Sequence, residues 1–461
     1  MKPHNVDLLV IGGGKAGKSL AMDLAAAGQS VAMVERGMIG GTCINVACIP
    51  TKTLVNSARL LKTMRRAAEF GITGAESPAI DIDRLRRRKD DVVDTMVGGQ
   101  RKAFLGSGMD LVIGEAKFVA ERTVEVALDG GGTRTISGTN VVINTGMVPA
   151  LPPIDGLAGA NVLTSESILR LEELPHSMVV LGGGYIGAEY ASMLHLMGVR
   201  VTVVHRGAHL LGREDADVGE AVGEVFRRDG IEMRLGVEAT RVTRAADGTV
   251  TVDLSDGSSV TAHEILVALG RTPVTAGLGL EKTGVDLTPR GFVAVDQHLR
   301  TGARGVWAAG DVAGSPQFTH ASWNDYRILK ANLAGGSLST ADRLVPYCVF
   351  VTPELGRVGM TETEARAAGH NVRVARMPVS AIPRARTIGE LDGVWKAVVD
   401  RDTDLILGTA LLSAEASEVT AVVQMAMLGG LTYQQVRDAV ITHPTMAEGL
   451  QLLFSDAFLA E

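Results

Sequence analysis

Cysteine is scarce in this sequence, with three cysteines among 461 residues. So few cysteines exclude a secreted scaffold held by several disulfides and a zinc protein built on many cysteines. The chain also lacks an apolar run of the ~18 residues that a membrane span needs, so we expect no membrane partner. No basic tract stands out and the net charge is −7, so nucleic acid is not an expected partner.

The composition is that of a large globular protein. Apolar residues make up 46% of the chain and charged residues 21%, which is enough for an extensive core. At roughly 150 residues per domain, the length suggests about three domains. Residues 6–14 are mostly apolar, but Asp7 interrupts them and Lys15 and Lys18 follow. We interpret this stretch as a buried strand and not as a secretory signal, and we expect a cytoplasmic protein.

Glycine is abundant, with 55 residues, and two glycine clusters follow apolar runs. The first, Gly12, Gly14 and Gly17, lies between an apolar run and a helical stretch rich in alanine and leucine. A second apolar run then ends in Glu35, so the pattern is one βαβ unit. In this context the Gly-x-Gly-x-x-Gly spacing predicts a turn that binds a dinucleotide pyrophosphate at the helix N-terminus. Glu35 can accept hydrogen bonds from the adenosine ribose, whereas a simple packing turn is the alternative.

The same pattern recurs downstream, with Gly182, Gly184 and Gly187. Here the second strand ends in His205 and Arg206, at the place where a carboxylate would favour NADH. Arginine pairs with phosphate through two parallel hydrogen bonds, so these cationic residues predict a 2′-phosphate, and NADPH over NADH. A solvated surface arginine is the alternative interpretation.

The two βαβ patterns divide the sequence into domains. We predict a first dinucleotide-binding domain formed by residues 1–150 and 275–340, interrupted by a second domain at 151–274. A proline-rich stretch at 149–153 separates them. Short β-like runs followed by helical stretches predict a C-terminal domain at 341–461. The predicted fold class is therefore α/β, with two Rossmann-like dinucleotide-binding domains and a C-terminal α+β domain.

Two of the cysteines, Cys43 and Cys48, lie five positions apart directly after the first βαβ unit. Zinc explains them poorly, because neither a second cysteine pair nor histidines lie nearby to complete a tetrahedral site, and no metal site is predicted. A redox-active disulfide fits better than two structural cysteines. Such a pair needs one thiol near an electron donor, another exposed to the substrate, and a low thiolate pKa, which a helix N-terminus can supply.

The segment around this pair, residues 40–52, resembles the redox-active helix of the pyridine-nucleotide disulfide oxidoreductases. This family includes glutathione reductase, dihydrolipoyl dehydrogenase and mercuric reductase. The likeness extends over essentially the whole chain. Its motifs are the two glycine turns, the cysteine segment, Thr145-Gly146, Gly310-Asp311, and His443-Pro444-Thr445 with Glu448.

The resemblance implies that FAD binds the first domain and NADPH the second. The residues implied at FAD are Gly12, Gly14, Gly17, Glu35, Gly41, Thr42, Thr145, Gly146 and Asp311. The residues implied at NADPH are Gly182, Gly184, Tyr185, Gly187, His205, Arg206 and Gly270. Within these sets, Asp311 would lie at the ribityl chain and Tyr185 would gate the nicotinamide pocket.

The resemblance also implies roles for two thiols and an ion pair. Cys48 would be the thiol against the flavin, and Cys43 the interchange thiol that attacks the substrate. Lys52 would lie near flavin N5 and pair with Glu189. The C-terminal domain would be a dimerisation domain.

His443, oriented by Glu448, would be the acid/base of the reaction. In this family the histidine reaches the disulfide of the other subunit, which implies an obligate homodimer. The chemistry agrees, because the leaving group of a thiolate attack needs a proton donor, and histidine is poised for that near neutral pH.

Several segments resemble more closely the reactive-chlorine-resistance flavoproteins, a subgroup linked to the reduction of hypothiocyanous acid and of copper(II). These segments are residues 14–18, 48–55, 325–327, 381–386 and 443–448. The sequence departs from the subgroup at Ala47, where glycine is usual, and at His205-Arg206, where some members have an acidic strand end.

We therefore expect an NADPH-dependent flavoprotein that reduces a small oxidant such as hypothiocyanous acid. The alternatives are a glutathione- or mycothiol-type disulfide reductase, a dihydrolipoyl dehydrogenase, a mercuric or cupric reductase, and a non-enzymatic redox sensor. The chain has no cysteine pair near residue 461 and has a histidine base, which disfavours a mercuric reductase. Arg384 and Arg386 are interpreted as surface residues, and Cys348 as a buried free thiol.

Overall fold

The computed structural model describes residues 3–74 and 77–459 of the chain. The described strands, in chain order, are β1 His4–Ile11, β2 Val31–Glu35, β3 Asp110–Ala120, β4 Thr123–Leu128, β5 Thr133–Ile143, β6 Met147–Pro149, β7 Leu163–Thr164, β8 Ser177–Leu181, β9 Arg200–His205, β10 Glu232–Leu235, β11 Ala239–Arg244, β12 Val250–Leu254, β13 Ser259–Ala262, β14 Glu264–Val267, β15 Arg271–Pro273, β16 Val306–Ala308, β17 Tyr347–Val349, β18 Glu354–Gly359, β19 Val372–Pro378, β20 Val394–Asp400 and β21 Ile406–Ser413. The α-helices are α1 Lys15–Ala26, α2 Thr42–Val46, α3 Cys48–Arg65, α4 Ile82–Gly106, α5 Tyr185–Leu196, α6 Ala216–Asp229, α7 Thr319–Leu333, α8 Glu362–Ala367, α9 Pro383–Thr387, α10 Ala416–Leu428, α11 Tyr433–Arg437 and α12 Gly449–Leu453. Short 3-10 segments lie at Ala67–Phe70, Leu157–Gly159, Ser167–Arg170, Leu280–Lys282, Gly310–Ala313 and Val379–Ala381.

The chain divides into two compact units, each made of three stretches. The first unit comprises Met1–Thr53, Asp83–Ala150 and Gly270–Arg343. The second comprises Leu54–Ile82, Leu151–Leu269 and Leu344–Glu461. The three-domain boundaries drawn from the sequence stay a prediction.

The first unit is built on a mostly parallel sheet. Strands β3, β2, β1, β5 and β16 run parallel, and β4 joins β3 to β5 as an antiparallel strand. Leu9 and Ile11 of β1 are buried in one core, whereas Leu8 and Val10 are buried in another core together with α1 residues. A parallel strand that is covered on both faces carries a continuous apolar run, which is why this stretch was recognisable in the sequence.

The second unit contains two larger sheets. A parallel sheet has the order β10-β9-β8-β14-β7, and an antiparallel sheet of C-terminal strands has the order β17-β18-β21-β20-β19. The C-terminal core surrounds Trp395, which is fully buried and donates its indole N–H to Ser413 Oγ at 2.9 Å. A small antiparallel sheet, β11-β12-β13, completes this unit.

Both predicted βαβ units are confirmed, and so is the α+β character of the C-terminal region, which has an antiparallel sheet and several helices. The second nucleotide helix, α5, begins at Tyr185 inside the glycine motif. Gly184 has an extended backbone and is the N-cap, so the glycine turn leads into the helix without a spacer. Among the helices of the described residues, none is both long and apolar enough to cross a bilayer.

A buried ion cluster joins α6 to the C-terminal sheet within the second unit. Lys396 on β20 is 3% exposed, and its Nζ lies 2.9–3.0 Å from carboxylate oxygens of Asp215, Asp217 and Glu362. Burial would raise the pKa of Asp215, but hydrogen bonds from Thr363, from Lys396 and from backbone amides outweigh it and lower this pKa to about 2. Three carboxylates therefore contact one buried ammonium, and two of them also pair with Arg376.

We expect Lys396→Met to destabilise the second unit, because Asp215 loses its buried cation, whereas Asp217 and Glu362 keep contacts with exposed arginines. Removing one partner of a buried ion pair costs about 3–5 kcal/mol. Arg376→Met is the matched control, since the half-exposed Arg376 contacts the same Asp217 and Glu362, and such pairs contribute about 0–1 kcal/mol. Thermal unfolding of both variants measures the difference, and equal melting temperatures would contradict the prediction.

The same cluster sets a pH dependence. The pKa of Asp215 is lower in the folded chain than in the unfolded chain, so its contribution to stability is present above the unfolded pKa. We expect this contribution to disappear as the pH falls from near 4 through about 2. Asp215→Asn should remove that part of the acid dependence of the melting temperature.

Candidate active site

The first glycine turn is too tight for any other residue at two positions. Gly12 has a φ of +97°, and a Cβ there would lie 2.4 Å from the carbonyl oxygen of Asn144. A Cβ on Gly17 would lie 2.7 Å from the carbonyl oxygen of Gly12, so helix and strand meet closely. Glu35, at the end of β2, accepts a hydrogen bond from the Gly13 amide at 2.7 Å and so holds the turn. This is the packing that a pyrophosphate-binding turn requires.

Asn144 is a residue of this site that sequence reasoning missed. It is 5% exposed, its Oδ1 accepts from the Gly17 amide at 2.9 Å, and its Nδ2 donates to the Ala309 carbonyl at 2.7 Å. The side chain thus ties the glycine turn to the segment that carries Asp311. The available signal was a polar residue directly after the apolar end of β5, adjacent to the Thr145-Gly146 motif.

Asp311 is a carboxylate prepared for a ligand. Burial raises its pKa to about 6, against the positive charge of Arg271. The side chain is only partly buried, so its carboxylate oxygens can accept a hydrogen bond from a ligand hydroxyl. The tight turn and this carboxyl group fit FAD, with the phosphates at α1 and a hydroxyl at Asp311.

Thr145 and Gly146 directly precede β6, and Gly270 directly precedes β15, the antiparallel partner of β6. Thr145 Oγ1 donates to the Val274 carbonyl at 2.7 Å, and the Gly146 carbonyl accepts from the Val274 amide at 3.0 Å. Gly146 and Gly270 have φ values of +70° and +118°, which favour glycine. These residues therefore order the connection, and their contact with a cofactor stays a prediction.

The predicted redox segment lies against the first glycine turn. Gly41 has a φ of +78°, and a Cβ there would lie 3.0 Å from Gly14 Cα, so two backbones approach each other directly. Thr42 begins α2 and Cys43 follows it. Ala47 separates α2 from α3 with a negative φ of −141°, so glycine is not needed there for a positive φ, but its ψ of −104° lies outside the main regions allowed for a residue with a side chain.

Cys43 and Cys48 are both free thiols, and they share one proton. The hydrogen bond from Cys43 lowers the pKa of Cys48 to about 6, burial opposes this, and Thr319 and Lys52 lower it further. Sγ of Cys48 lies 3.5 Å from Thr319 Oγ1, and Cys48 is the first residue of α3, where the helix dipole favours a thiolate. The same interaction with Cys48, together with burial, raises the pKa of Cys43. At neutral pH the pair therefore carries one negative charge, on Cys48.

Lys18 is a second residue that sequence reasoning missed. It is 4% exposed, and its Nζ donates to the Gly40 carbonyl at 2.9 Å, next to the start of α2. Burial and the charge of Lys15 lower the pKa of Lys18 to about 8, whereas Cys43 raises it. Lys18 therefore holds the loop before the thiols and places a positive charge near Cys43.

The second glycine turn has the same close packing. Gly182 has a φ of +110°, and a Cβ on Gly187 would lie 1.8 Å from the Gly182 carbonyl oxygen. Above Gly184 no atom lies within 4 Å of a Cβ position among the described residues, which leaves room for a pyrophosphate. Arg206 is 79% exposed, with Glu238 at 3.8 Å, and so is available to a ligand.

Tyr185 belongs to a polar cluster that the sequence did not reveal. Its hydroxyl lies 3.0 Å from both Glu214 Oε1 and the Tyr347 hydroxyl, and Tyr347 donates to the same carboxylate at 2.7 Å. Arg357 Nε lies 2.8 Å from the other oxygen of Glu214. Burial raises the pKa of Tyr185, with the Glu214 charge acting in the same direction, so the phenol stays protonated and held in place.

The structure brings His443 and Glu448 together. His443 Nδ1 lies 2.7 Å from Glu448 Oε2, and the imidazole is 69% exposed whereas the carboxylate is 10% exposed. With Nδ1 donating to the carboxylate, Nε2 is the atom that can exchange a proton with a ligand. Glu189 is buried and accepts from the Phe350 amide at 2.8 Å, and its predicted pairing with Lys52 stays a prediction.

Two further expectations concern cysteine and metal chemistry. Cys348 was expected to be buried, but it is only partly buried, with Sγ 3.9 Å from Glu354 Oε2, because β17 is the edge strand of its sheet. Across residues 3–74 and 77–459, no group of three or more histidine, cysteine and acidic side chains could hold a metal ion.

Comparison with known families decides the class of protein. Residues 6–325 match the model of the pyridine nucleotide-disulphide oxidoreductases, and residues 345–454 match the dimerisation domain of that family. The chain belongs to the pyridine nucleotide-disulphide oxidoreductase family. It is therefore a flavoprotein oxidoreductase that uses FAD and a nicotinamide nucleotide, as the sequence motifs predicted.

Individual pyridine nucleotide-disulphide oxidoreductases are similar over nearly the full length. The probable pyridine nucleotide-disulfide oxidoreductase RclA of Escherichia coli is 40% identical over 97% of this chain and 98% of its own. A dihydrolipoyl dehydrogenase of Thermus scotoductus is 36% identical over 96% and 95%, and a Staphylococcus aureus mercuric reductase is 34% identical over 97% and 81%. The solved Cu(II) complex of the HOCl-induced flavoprotein disulfide reductase RclA superposes with a TM-score of 0.90, at 39% identity over 98% of this chain and 99% of that one.

The shared proton gives a measurable titration. We expect the Cys48 thiol of the reduced enzyme to titrate near pH 6, measured as the pH dependence of alkylation of the Cys48 peptide by mass spectrometry. Cys43→Ala removes the strongest interaction that lowers this pKa, so the titration should move to higher pH. Thr319→Val should move it in the same direction by less. A midpoint that stays unchanged in Cys43→Ala would contradict the shared proton.

Proposed function

We propose that this flavoprotein is an NADPH-dependent reductase that uses a Cys43–Cys48 dithiol to reduce a small oxidant such as hypothiocyanous acid. The observation that carries the proposal is the pair of hydrogen-bonded thiols beside the first nucleotide turn, with one thiolate at neutral pH. The similarity to RclA, which is described as an HOCl-induced disulfide reductase, supports an oxidant of the reactive-chlorine type.

The thiols supply both steps of the reduction. The Cys43 thiol would give its proton to His443 Nε2 as its sulfur attacks the electrophilic sulfur of HOSCN, and the same proton would pass to the leaving hydroxide. A Cys43 S–SCN bond forms, the HO–S bond breaks and water leaves. The Cys48 thiolate then attacks the Cys43 sulfur and releases thiocyanate, so the dithiol is oxidised to a disulfide by two electrons. Cys48 is suited to this second step because it is the thiol with the lowered pKa.

Lys18 would supply a positive charge near Cys43, and His443 would supply the proton for the leaving group. Lys18 places a buried cation near Cys43, which favours the thiolate that must form there. His443 would donate the proton for the leaving group through Nε2, because its Nδ1 is bound to Glu448. In the predicted homodimer the histidine of one subunit serves the thiols of the other, and the match to the dimerisation domain supports that assembly.

Reduction of the Cys43–Cys48 disulfide back to the dithiol would depend on the two nucleotide sites. When bound, FAD supplies hydride acceptance from NADPH and two-electron transfer to the disulfide. The first glycine turn and Asp311 would hold FAD, and the second glycine turn would hold the nicotinamide nucleotide. Arg206 supports NADPH, since an exposed guanidinium at the strand end matches a 2′-phosphate.

Copper(II) is the second candidate substrate. RclA has been solved as a Cu(II) complex, and thiolates bind and reduce copper readily. The Cys43–Cys48 dithiol would then be oxidised to the disulfide by two Cu(II) ions, each of which takes one electron and leaves as Cu(I), with release of the thiol protons. Steady-state NADPH oxidation with hypothiocyanous acid, Cu(II), glutathione disulfide and lipoamide separates these candidates, and a kcat/KM for lipoamide above that for hypothiocyanous acid would overturn the proposal.

We expect Cys43→Ser to abolish turnover of hypothiocyanous acid, because the attacking sulfur is lost. NADPH should still reduce the flavin of this variant in a stopped-flow experiment, since the nucleotide sites are intact. Cys348→Ser is the matched control and should keep its turnover. Turnover by Cys43→Ser at the unsubstituted rate would exclude the thiol mechanism.

We expect His443→Gln to lower kcat/KM for the oxidant by about 10²–10⁴-fold, the usual contribution of a general acid or base. Flavin reduction by NADPH should keep its rate, so the loss falls in the oxidative half-reaction. Glu448→Gln keeps the hydrogen bond but removes the charge, so its loss should be smaller. Equal losses in both half-reactions would place His443 outside the proton transfer.

A further inference from the structure

One face of the nucleotide helix α5 packs against the first strand of the C-terminal sheet and the residues that follow it. The amide of Phe350, directly after β17, donates to Glu189 Oε1 at 2.8 Å. Two residues further along, the Thr352 amide donates to Ser192 Oγ at 3.1 Å. Glu189 and Ser192 are both buried. The segment after β17 is therefore fixed along the side of α5.

A third contact lies at the first turn of α5, where Tyr185 meets Tyr347 of β17. The ring centroids are 5.3 Å apart, and the two hydroxyl oxygens are 3.0 Å apart. Tyr185, Glu189 and Ser192 are separated by four and three residues, so they lie on one face of the helix. The C-terminal segment therefore contacts α5 from its first residue, Tyr185, to a position two turns later.

The carboxylate of Glu214 connects the two phenols. Its Oε1 accepts from the Tyr347 hydroxyl at 2.7 Å and lies 3.0 Å from the Tyr185 hydroxyl. Arg357 Nε lies 2.8 Å from the other carboxylate oxygen, and the side chain of Glu214 is fully buried. Tyr347 and Arg357 are opposite each other on β17 and β18. Two strands of the C-terminal sheet thus hold the carboxylate that holds Tyr185.

The protonation of this cluster favours a fixed arrangement. Burial raises the pKa of Tyr347 to about 12, and the charge of Glu214 adds to this, against that of Arg357. Burial and Glu214 also raise the pKa of Tyr185, so both phenols keep their protons at neutral pH. Hydrogen bonds from neutral donors to a charged acceptor are the stronger kind. The proton of Tyr347 is directed at Glu214, and that of Tyr185 has the carboxylate and the Tyr347 oxygen as acceptors.

We propose that Tyr347 is a positioning residue for flavin reduction by the nicotinamide nucleotide, because with Glu214 it fixes Tyr185 and the first turn of α5. This turn directly follows Gly184, so its position sets the amides that would hold the pyrophosphate. The inference rests on the proposed binding of the nucleotide at the second glycine turn. Tyr347 acts through Tyr185 and need not touch the nucleotide. The C-terminal region, which matches the dimerisation domain, would thus also serve the reductive half-reaction.

A double-mutant cycle on the two tyrosines tests this role. Tyr347→Phe and Tyr185→Phe each remove one hydroxyl and keep the ring, and the combined variant removes both. Flavin reduction of the FAD-loaded enzyme is followed by stopped flow, with NADPH or NADH, whichever reduces the unsubstituted enzyme faster. The measured quantity is the limiting rate divided by the Kd of the nucleotide. Melting temperatures and flavin content show that each variant is folded.

We expect Tyr347→Phe to lower this quantity by about three- to tenfold, the usual net contribution of one hydrogen bond. In the Tyr185→Phe background the same substitution should have no further effect, because the hydroxyl that Tyr347 positions is already absent. A merely structural contribution would give the same factor in both backgrounds. Equal factors, or an unchanged or higher value in Tyr347→Phe alone, would overturn the proposal.

Ser192→Ala is the matched control within the same contact. It removes the acceptor of the Thr352 amide, two turns of α5 away from Tyr185. The melting temperature should fall, since a buried amide loses its hydrogen bond, but flavin reduction should keep its rate. A loss of flavin reduction as large as that in Tyr347→Phe would show that any weakening of this contact has the effect, and would overturn the specific role of Tyr347.

Oxidant turnover by the unsubstituted enzyme tests the proposed function separately. If hypothiocyanous acid is not reduced, the proposed oxidant is wrong, and if NADH reduces the flavin faster, the NADPH preference is wrong. The role of Tyr347 is still decided by the cycle in both cases, because the cycle measures flavin reduction with the preferred nucleotide and involves no oxidant.

Discussion

The chemistry of this protein depends on the close approach of two backbone segments, at Gly14 and Gly41. The glycine turn that opens α1 and the loop that opens α2 touch without intervening side chains, which glycine alone permits at this distance. The contact places Cys43 and Cys48 beside the end of the helix that a pyrophosphate would occupy. Lys18, on α1, strengthens this contact because its Nζ donates a hydrogen bond to the Gly40 carbonyl, next to Gly41. The loop that leads to the two cysteines is therefore held directly against the first glycine turn.

The two thiols differ in pKa, because their surroundings act on them in opposite directions. Burial raises the pKa of both thiols, yet the hydrogen bond between them and the start of α3 lower that of Cys48. The result is one partly buried thiolate and one protonated thiol. A dithiol with a single negative charge can be oxidised by a small electrophile and closed into a disulfide without a further base next to Cys48.

The two nucleotide-binding halves show how one turn geometry can be adapted. Each turn needs an acceptor for an amide in its middle, and the chain supplies a carboxylate in one half and an imidazole in the other. The packing requirement is the same, whereas the charge presented to a ribose differs. The strand-end residue therefore has two separate roles, because it holds the turn and it also sets the charge near the ribose.

The sequence determined the βαβ units, the C-terminal α+β sheet, the family and the paired cysteines, because these depend on local periodicity and short spacings. It also pointed to His443 with Glu448, which lie five residues apart and form a hydrogen bond in the structure. Only the tertiary structure decided the roles of Asn144, Lys18 and the Tyr185 cluster, since their partners are distant in sequence. The contact of His205 Nδ1 with the Gly183 amide was likewise beyond the sequence, and burial of the ring lowers its pKa. Motifs identify residue types at fixed spacings, whereas protonation and burial are set by contacts that folding creates.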